Sequence, residues 1–269
     1  MRVLLVNDLS FVGKCSLTVA LPVISACGVT CDVLPTALLS THTGGFTGYT
    51  FRDLTEDLPA ALKQWKSLGL TFDFIYSGYL ASEEQIETVL TLKKEFLAKD
   101  GKLVVDPVMG DEGKLYEGFS KNFIDKMRKL CKAADYILPN RTEACLLTGL
   151  AYPSSGKELV SALKEICACP IATGIEEERE IAVYYYAGNT LRRYATPTSQ
   201  GFFCGAGDVF ASSFVGALAN GKRTEEAIPL CADFTTAAIE RSAKEVPDKR
   251  FGLNFEKELL PFIKKLLGE

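Results

Sequence analysis

Gly205-Ala206-Gly207-Asp208 lies between a loop (Ser199 to Cys204) and a long apolar helix (Val209 to Ala219). The two glycines let the backbone turn tightly, so consecutive N–H groups can point outward, and the helix adds the positive end of its dipole. Together they predict an anion-binding nest. A carboxylate is out of place in a nest that only holds phosphate. Asp208 makes sense there if it takes a proton from a hydroxyl about to attack that phosphate, which is the arrangement of a small-molecule kinase. The other reading is an ordinary glycine loop with Asp208 as a helix N-cap. Two better-known glycine motifs are excluded. A dinucleotide fingerprint needs glycine where Phe210 stands, and a P-loop ending at Gly13-Lys14 fails at Asp8 and Cys15.

Outward from this stretch, short apolar runs alternate with amphipathic ones. Val3 to Val6, Val29 to Leu34, Phe74 to Ser77, Leu103 to Asp106, Tyr136 to Leu138 and Ile171 to Thr173 read as strands. Helical patterns cover Ser16 to Ala26, Leu54 to Leu68, Glu83 to Ala98, Ser120 to Lys132 and Lys157 to Ile166. The alternation predicts an α/β three-layer sandwich with a mainly parallel central sheet. Ile181 to Tyr186 and Thr190 to Ala195, split by Gly188-Asn189, predict a hairpin at the sheet edge. Helices from Asp208 onward close the structure. No linker or internal repeat divides residues 1–269, so one domain is expected, with a small flap near 38–52.

Composition narrows the function classes. A net charge of −4 argues against a general nucleic-acid surface, so an anionic ligand must be held by local N–H groups and metal. Nine cysteines (15, 27, 31, 131, 145, 167, 169, 204 and 231) form an odd set without a C-x-x-C pair, and buried free thiols are expected. No apolar run reaches membrane-spanning length, and the N-terminus begins in a strand without a cleavage region. A cytoplasmic location is the expectation.

Functional residues of parallel sheets gather beyond the C-terminal ends of the strands. Asn7, Asp8 and Ser10 follow the first predicted strand, and Ser77-Gly78-Tyr79 the third. Asp106-Pro107-Val108-Met109-Gly110-Asp111 follows the fourth, Pro139-Asn140-Arg141-Thr142-Glu143 the fifth and Thr173-Gly174 the sixth. Asp106, Asp111, Asn140 and Glu143 are hard oxygen ligands of the kind Mg²⁺ takes, often through water and nucleotide phosphates. Asn140 and Glu143 also fit a capping pair, and Glu143 could do both. Ser40-Thr41-His42-Thr43-Gly44-Gly45-Phe46-Thr47-Gly48-Tyr49 holds the only histidine and reads either as substrate wall and flap or as a surface hairpin. His42 is either a packed ring or a group that reads a substrate oxygen.

In order and approximate spacing, these motifs resemble the ribokinase-like superfamily and, within it, the pyridoxal (vitamin B6) kinases. Residues 40–44 resemble their S-N-H-T-G, residues 77–79 their T-G-Y and residues 106–111 their D-P-V-M-G-D. Residues 139–144 resemble their P-N-x-x-E-A, and residues 205–208 their G-T-G-D. The resemblance covers about residues 1 to 245. It implies transfer of the ATP γ-phosphoryl to the 5′-hydroxymethyl group of pyridoxal, pyridoxine or pyridoxamine. It further implies Mg²⁺ with ATP, activation by a monovalent cation, and a homodimer. By carry-over Asp208 is the base, and Gly205, Ala206 and Gly207 supply the anion hole. Asp106, Asp111, Asn140 and Thr173 meet ATP, Asp106 and Glu143 serve the metal, and Asp8, Ser10, His42, Thr43 and Tyr79 line the vitamin pocket. There are departures. Ala206 stands where the family often has threonine, and the segment from Asp8 to Lys14 is shorter, leaving ring contact to either Asp8 or Ser10.

Two other readings differ in what they require. Hydroxymethylpyrimidine or a sugar could be the alcohol on the same fold, although Tyr79, Phe46 and Tyr49 favour a flat heteroaromatic over a sugar. A non-catalytic vitamin sensor would be signalled by loss of the base or glycines, and both are present.

Overall fold

In the computed structural model, which describes residues 1–198 and 203–269, strands and helices alternate as the sequence predicts. Residues 199–202 of the loop read before Gly205 lie outside the described residues. The parallel strands are β1 (Arg2–Val12), β2 (Thr30–Thr41), β4 (Phe72–Ser77), β5 (Leu97–Val105), β8 (Tyr136–Ile137) and β9 (Cys169–Glu177). Antiparallel strands join both edges: β3 (Phe51–Asp53) on one side, β10 (Glu180–Ala187) and β11 (Thr190–Pro197) on the other. The order across the nine-stranded sheet is β11-β10-β9-β8-β5-β4-β1-β2-β3. A two-stranded piece, β6 (Gly110–Asp111) with β7 (Lys114–Leu115), sits above the end of β5.

Both faces of the sheet are buried, which explains the continuous apolar runs. Along β1, Val3 and Leu5 enter one core while Leu4 and Val6 enter the other. The first core is closed by α1 (Leu17–Ala26), α7 (Ala206–Ala219), α8 (Thr224–Glu245) and α9 (Glu256–Leu267). The second is closed by α2 (Leu58–Ser67), α3 (Glu83–Phe96), α4 (Lys121–Ala133), α5 (Arg141–Thr148) and α6 (Gly156–Leu163). Every residue of α7 from Val209 to Ala219 is buried, so this helix, apolar all round, lies in the interior between α1 and α8. Among the described residues no helix is long and apolar enough to cross a membrane.

The boundaries depart from the sequence reading in ways that shape the site. β1 does not stop at Val6. It runs to Val12 beside β2, beyond the end of β4, and forms a projecting arm with β2 and β3. The pairing shifts where Asn7 faces Pro35 and Leu9 faces Leu38, so β2 carries one extra residue. Pro35 cannot donate to the ladder, and a bulge is where a strand tolerates it. The same holds for β9, which continues past Thr173. Ala172 and Ile175 pair with Tyr184 and Ala182, leaving Thr173 and Gly174 opposite one residue, and Gly174 supplies the left-handed φ of 61°. Helix α2 begins at Leu58 rather than Leu54, because the Leu54 N–H bonds the Thr36 carbonyl.

Candidate active site

Asp208 sits in the first turn of α7, whose N-cap Gly205 has φ 80°. A Cβ on Gly205 would lie 2.2 Å from the Lys14 carbonyl oxygen, so glycine is required by contact as well as by φ. The first helical bond runs from the Val209 N–H to the Gly205 carbonyl, and Gly207 faces open space. The N–H groups of residues 205–208 therefore have no acceptor within the helix, as at any helix N-terminus. Burial lifts the Asp208 carboxyl to about 7, with Asp8 adding to it, while the Ser16 N–H and the Asn7 amide favour the charged form. Ser16 holds φ 51°, ψ −127°, a strained conformation that aims its N–H at Asp208.

The other acids meet this helix end from the sheet. Asp106 follows β5, tied by its N–H to the Ser77 carbonyl, and is buried. Its carboxyl is pushed well above the usual range by burial and by Asp208. Glu143 is pushed up by burial and by Asp106. One Glu143 oxygen accepts from the Met109 N–H at 3.2 Å and the other from the Asn140 N–H at 2.9 Å, while the Asn140 side chain caps Glu143 in return. The capping pair read from the sequence is thus present, and it also fastens the Asp106–Asp111 turn. Asn140 Nδ2 donates to the Gly110 carbonyl at 2.9 Å. Asp111 is raised mainly by burial. The Tyr116 hydroxyl is raised by burial and by Glu143, Asp111, Asp106 and Asp208 in turn, so the four acids face one space. Thr173 lies in the β9 bulge, its N–H on the Pro139 carbonyl at 2.9 Å.

Asp8 and Ser10 lie within β1, not after it. Asp8 is buried and accepts from the Ser10 hydroxyl at 3.2 Å. Its carboxyl is raised by burial against the pull of Ser16 and Ser10. Tyr79 is half-buried, and burial with Asp8, Asp53 and Tyr49 lifts its hydroxyl to about 12. Asn7 Oδ1 accepts from the Tyr79 N–H at 2.8 Å, and a Cβ at Gly78 would lie 2.3 Å from Asn7 Nδ2. Thr43 is exposed in the loop of the flap.

Of the two readings of His42, its contacts are those of a packed ring. Its Nε2 donates to the Arg250 carbonyl at 2.7 Å and its Nδ1 accepts from the Gly44 N–H at 3.1 Å. Phe46 stands edge-on at 5.0 Å. Both nitrogens are taken by backbone, so the ring ties the flap to the 3₁₀ turn Lys249–Phe251 and has none left for a substrate oxygen. Sequence reading missed Ser16, Tyr116 and the Lys249–Phe251 contact. The first is a backbone donor with no side-chain signature, and the last joins segments far apart in the chain.

A family model described as phosphomethylpyrimidine kinase matches residues 20–251. A crystal structure from Bacteroides thetaiotaomicron, described as a phosphomethylpyrimidine kinase and holding pyridoxal, superposes with TM-score 0.91 at 34% identity, covering 97% of this chain and 95% of that one. Pyridoxal kinase from Lactobacillus plantarum gives TM-score 0.91 at 32% identity over 99% and 97% of the two chains. Pyridoxine kinase from Bacillus subtilis is 27% identical over 65% of this chain and 66% of its own length. The chain spans about three fifths of the length of the yeast relatives it matches (62% and 63%). With its nine-stranded ribokinase-like sheet and the acids gathered at the head of α7, the chain belongs to the family of phosphomethylpyrimidine and pyridoxal kinases.

Proposed function

We propose that this chain transfers the γ-phosphoryl of ATP to the 5′-hydroxymethyl group of pyridoxal, pyridoxine or pyridoxamine. One observation carries the reading: the carboxyl of Asp208 stands in the first turn of a buried helix, where burial pushes it up to about 7. A base whose pKa lies near the operating pH accepts a proton readily while a substantial fraction of it stays ionised. The pyridoxal in the Bacteroides structure and the pyridoxine kinase relative support a pyridine alcohol as acceptor.

Phosphoryl transfer needs positioning and charge neutralisation more than covalent chemistry. Asp208 takes the proton of the acceptor hydroxyl, and the N–H groups of Gly205, Ala206 and Gly207 receive charge developing on the phosphoryl oxygens. Asp106 and Glu143 would hold Mg²⁺. The fit is electrostatic: among the described residues these buried acids repel one another and none has an ion-pair partner. No group of three or more His, Cys, Asp or Glu among the described residues is arranged to hold a metal alone, which suits an ion bound largely by water and phosphate. Bound there, Mg²⁺ would neutralise phosphate charge. Asp111, Asn140 and Thr173 border the nucleotide, and a monovalent cation is a further activator. Asp8, Ser10, Thr43 and Tyr79 line the acceptor pocket, with His42 fastening the flap above it. The protein works in the cytoplasm as a homodimer of single-domain chains, a setting that suits nine free cysteines.

ATP consumption against pyridoxal, pyridoxine, pyridoxamine, hydroxymethylpyrimidine and ribose tests the reading. Turnover greatest with a B6 vitamer is expected. Preference for hydroxymethylpyrimidine or ribose would overturn the substrate, and vitamer binding without turnover would indicate a sensor.

A further inference from the structure

Asp248-Lys249-Arg250-Phe251-Gly252, the 3₁₀ turn with its two flanking residues, touches three segments around the anion hole. The Phe251 carbonyl accepts from the Lys14 N–H at 3.0 Å, and a Cβ on Gly252 would lie 2.5 Å from the same Lys14 carbonyl oxygen that Gly205 approaches. Lys249 Nζ stands 5.3 Å from the centroid of the Phe203 ring, two residues before Gly205. The third segment is the flap, and here the Arg250 side chain makes the contact. Its Nη1 donates to the Gly45 carbonyl at 3.1 Å, and its guanidinium carbon lies 4.9 Å from the centroid of the Phe46 ring. Phe251 meets Phe46 edge-on at 5.2 Å. Asp248 orients the fork, its Oδ1 accepting from Nε at 2.9 Å and its Oδ2 from Nη2 at 2.7 Å. Gly45, with φ 81°, leaves room for the arginine stem, since a Cβ there would lie only 3.0 Å from Arg250 Cδ. Beside it the Cys204 thiol donates to the Gly44 carbonyl at 3.6 Å, so the flap apex rests against the residue that precedes Gly205. An ion pair as exposed as Arg250–Asp248 adds little stability. A planar fork held by a carboxylate, a carbonyl and an aromatic face fixes a position instead.

We infer that Arg250, oriented by Asp248, is the residue that positions the apex of the flap, residues 44–46, over the anion hole. Arg250 touches no substrate in this role. It acts through Gly45 and Phe46, which with Thr43 close the acceptor side and keep water from the phosphoryl group. The Arg250 carbonyl holds His42 independently of the side chain, so the two ends of the flap are fastened separately. The inference rests on the kinase reading above.

The experiment is Arg250→Met, which keeps the stem and removes the fork, with both KM values, Tm and the ATP hydrolysed per acceptor phosphorylated measured beside native protein. KM for the acceptor should rise roughly tenfold, the scale of one charge-assisted hydrogen bond. KM for ATP and Tm should hold, because the backbone ties to His42 and Lys14 remain. Wasted ATP hydrolysis should rise several-fold, since an open flap admits water, an effect that loss of packing alone does not have. With Phe46→Leu already present, Arg250→Met should add less to the acceptor KM than it does in the native chain. Asp248→Asn should move the same quantities the same way, and it decides the matter if Arg250→Met does not fold. An unchanged acceptor KM with unchanged hydrolysis, additive effects with Phe46→Leu, or equal rises in both KM values with a lower Tm overturns the inference. Native turnover tests the kinase reading separately. If native protein transfers no phosphoryl group, that reading fails, and amide hydrogen exchange decides this one. Faster exchange confined to residues 43–48 in Arg250→Met supports the positioning role, and exchange equal to native overturns it.

Discussion

Asp208 is poised by opposing influences, and their balance sets where it works. Burial and Asp8 favour the neutral acid, while the Ser16 N–H and Asn7 favour the carboxylate, leaving the group at about 7. A base must be ionised, so kcat/KM should climb with pH through about 7 and level off above it. Asp208→Asn should lower kcat by roughly 10²–10⁴-fold and abolish that limb. The same shift has a stability sign. The folded pKa lies above the unfolded value of about 3.9, so the folded chain binds more protons between them and loses stability as pH rises. Asparagine does not titrate, so thermal unfolding should show the Tm of Asp208→Asn gaining on native protein from pH 4.5 to 8. A constant gap would mean that Asp208 is unshifted. His42 was legible as a flap residue, but not what it holds, since its Arg250 partner lies far along the chain. With both nitrogens on backbone, His42→Ala should raise KM for acceptor and ATP together and lower Tm. A rise confined to the acceptor would return the ring to direct substrate contact.

At the scale of elements, periodicity located the strands and helices because each buries a face, yet it ended β1 and β9 too early. Polar residues at Asn7, Asp8 and Ser10 looked like a loop, whereas they sit in a strand whose partner β2 bulges at Pro35 to let it continue. Bulges interrupt the alternation that a period-two reading relies on. The α5 N-terminus was easier, since Asn140 and Glu143 carry a capping signature that the structure contains. Glu143 serves three neighbours: Asn140 N–H, Met109 N–H and the acidic space shared with Asp106. Glu143→Gln keeps one carbonyl oxygen for capping but removes the charge. The Mg²⁺ concentration for half-maximal activity should rise several-fold, with kcat at saturating Mg²⁺ much less affected. An unchanged Mg²⁺ titration would leave Glu143 with capping alone.

At the scale of the whole molecule, the sheet's C-terminal edge was legible because five strand ends carry polar motifs, and the family's fold follows from that alternation. What the sequence did not disclose was the arm. Only when β1, β2 and β3 are seen to extend past β4 does the flap become a sheet segment with exposed apolar residues. Phe11 is 62% exposed and Phe51 45%, large values for phenylalanine on strands. Such residues, with free strand edge beside them, are what a symmetric partner would cover. The arm is thus the surface through which the proposed homodimer should form, and closing it would steady the flap that His42 fastens. Sedimentation velocity should give a dimer for native protein and a monomer for Phe11→Asp with Phe51→Asp. The paired change should also raise KM for the acceptor while far-ultraviolet circular dichroism is preserved. A native monomer, or a dimer untouched by both aspartates, would put the subunit contact elsewhere or remove it.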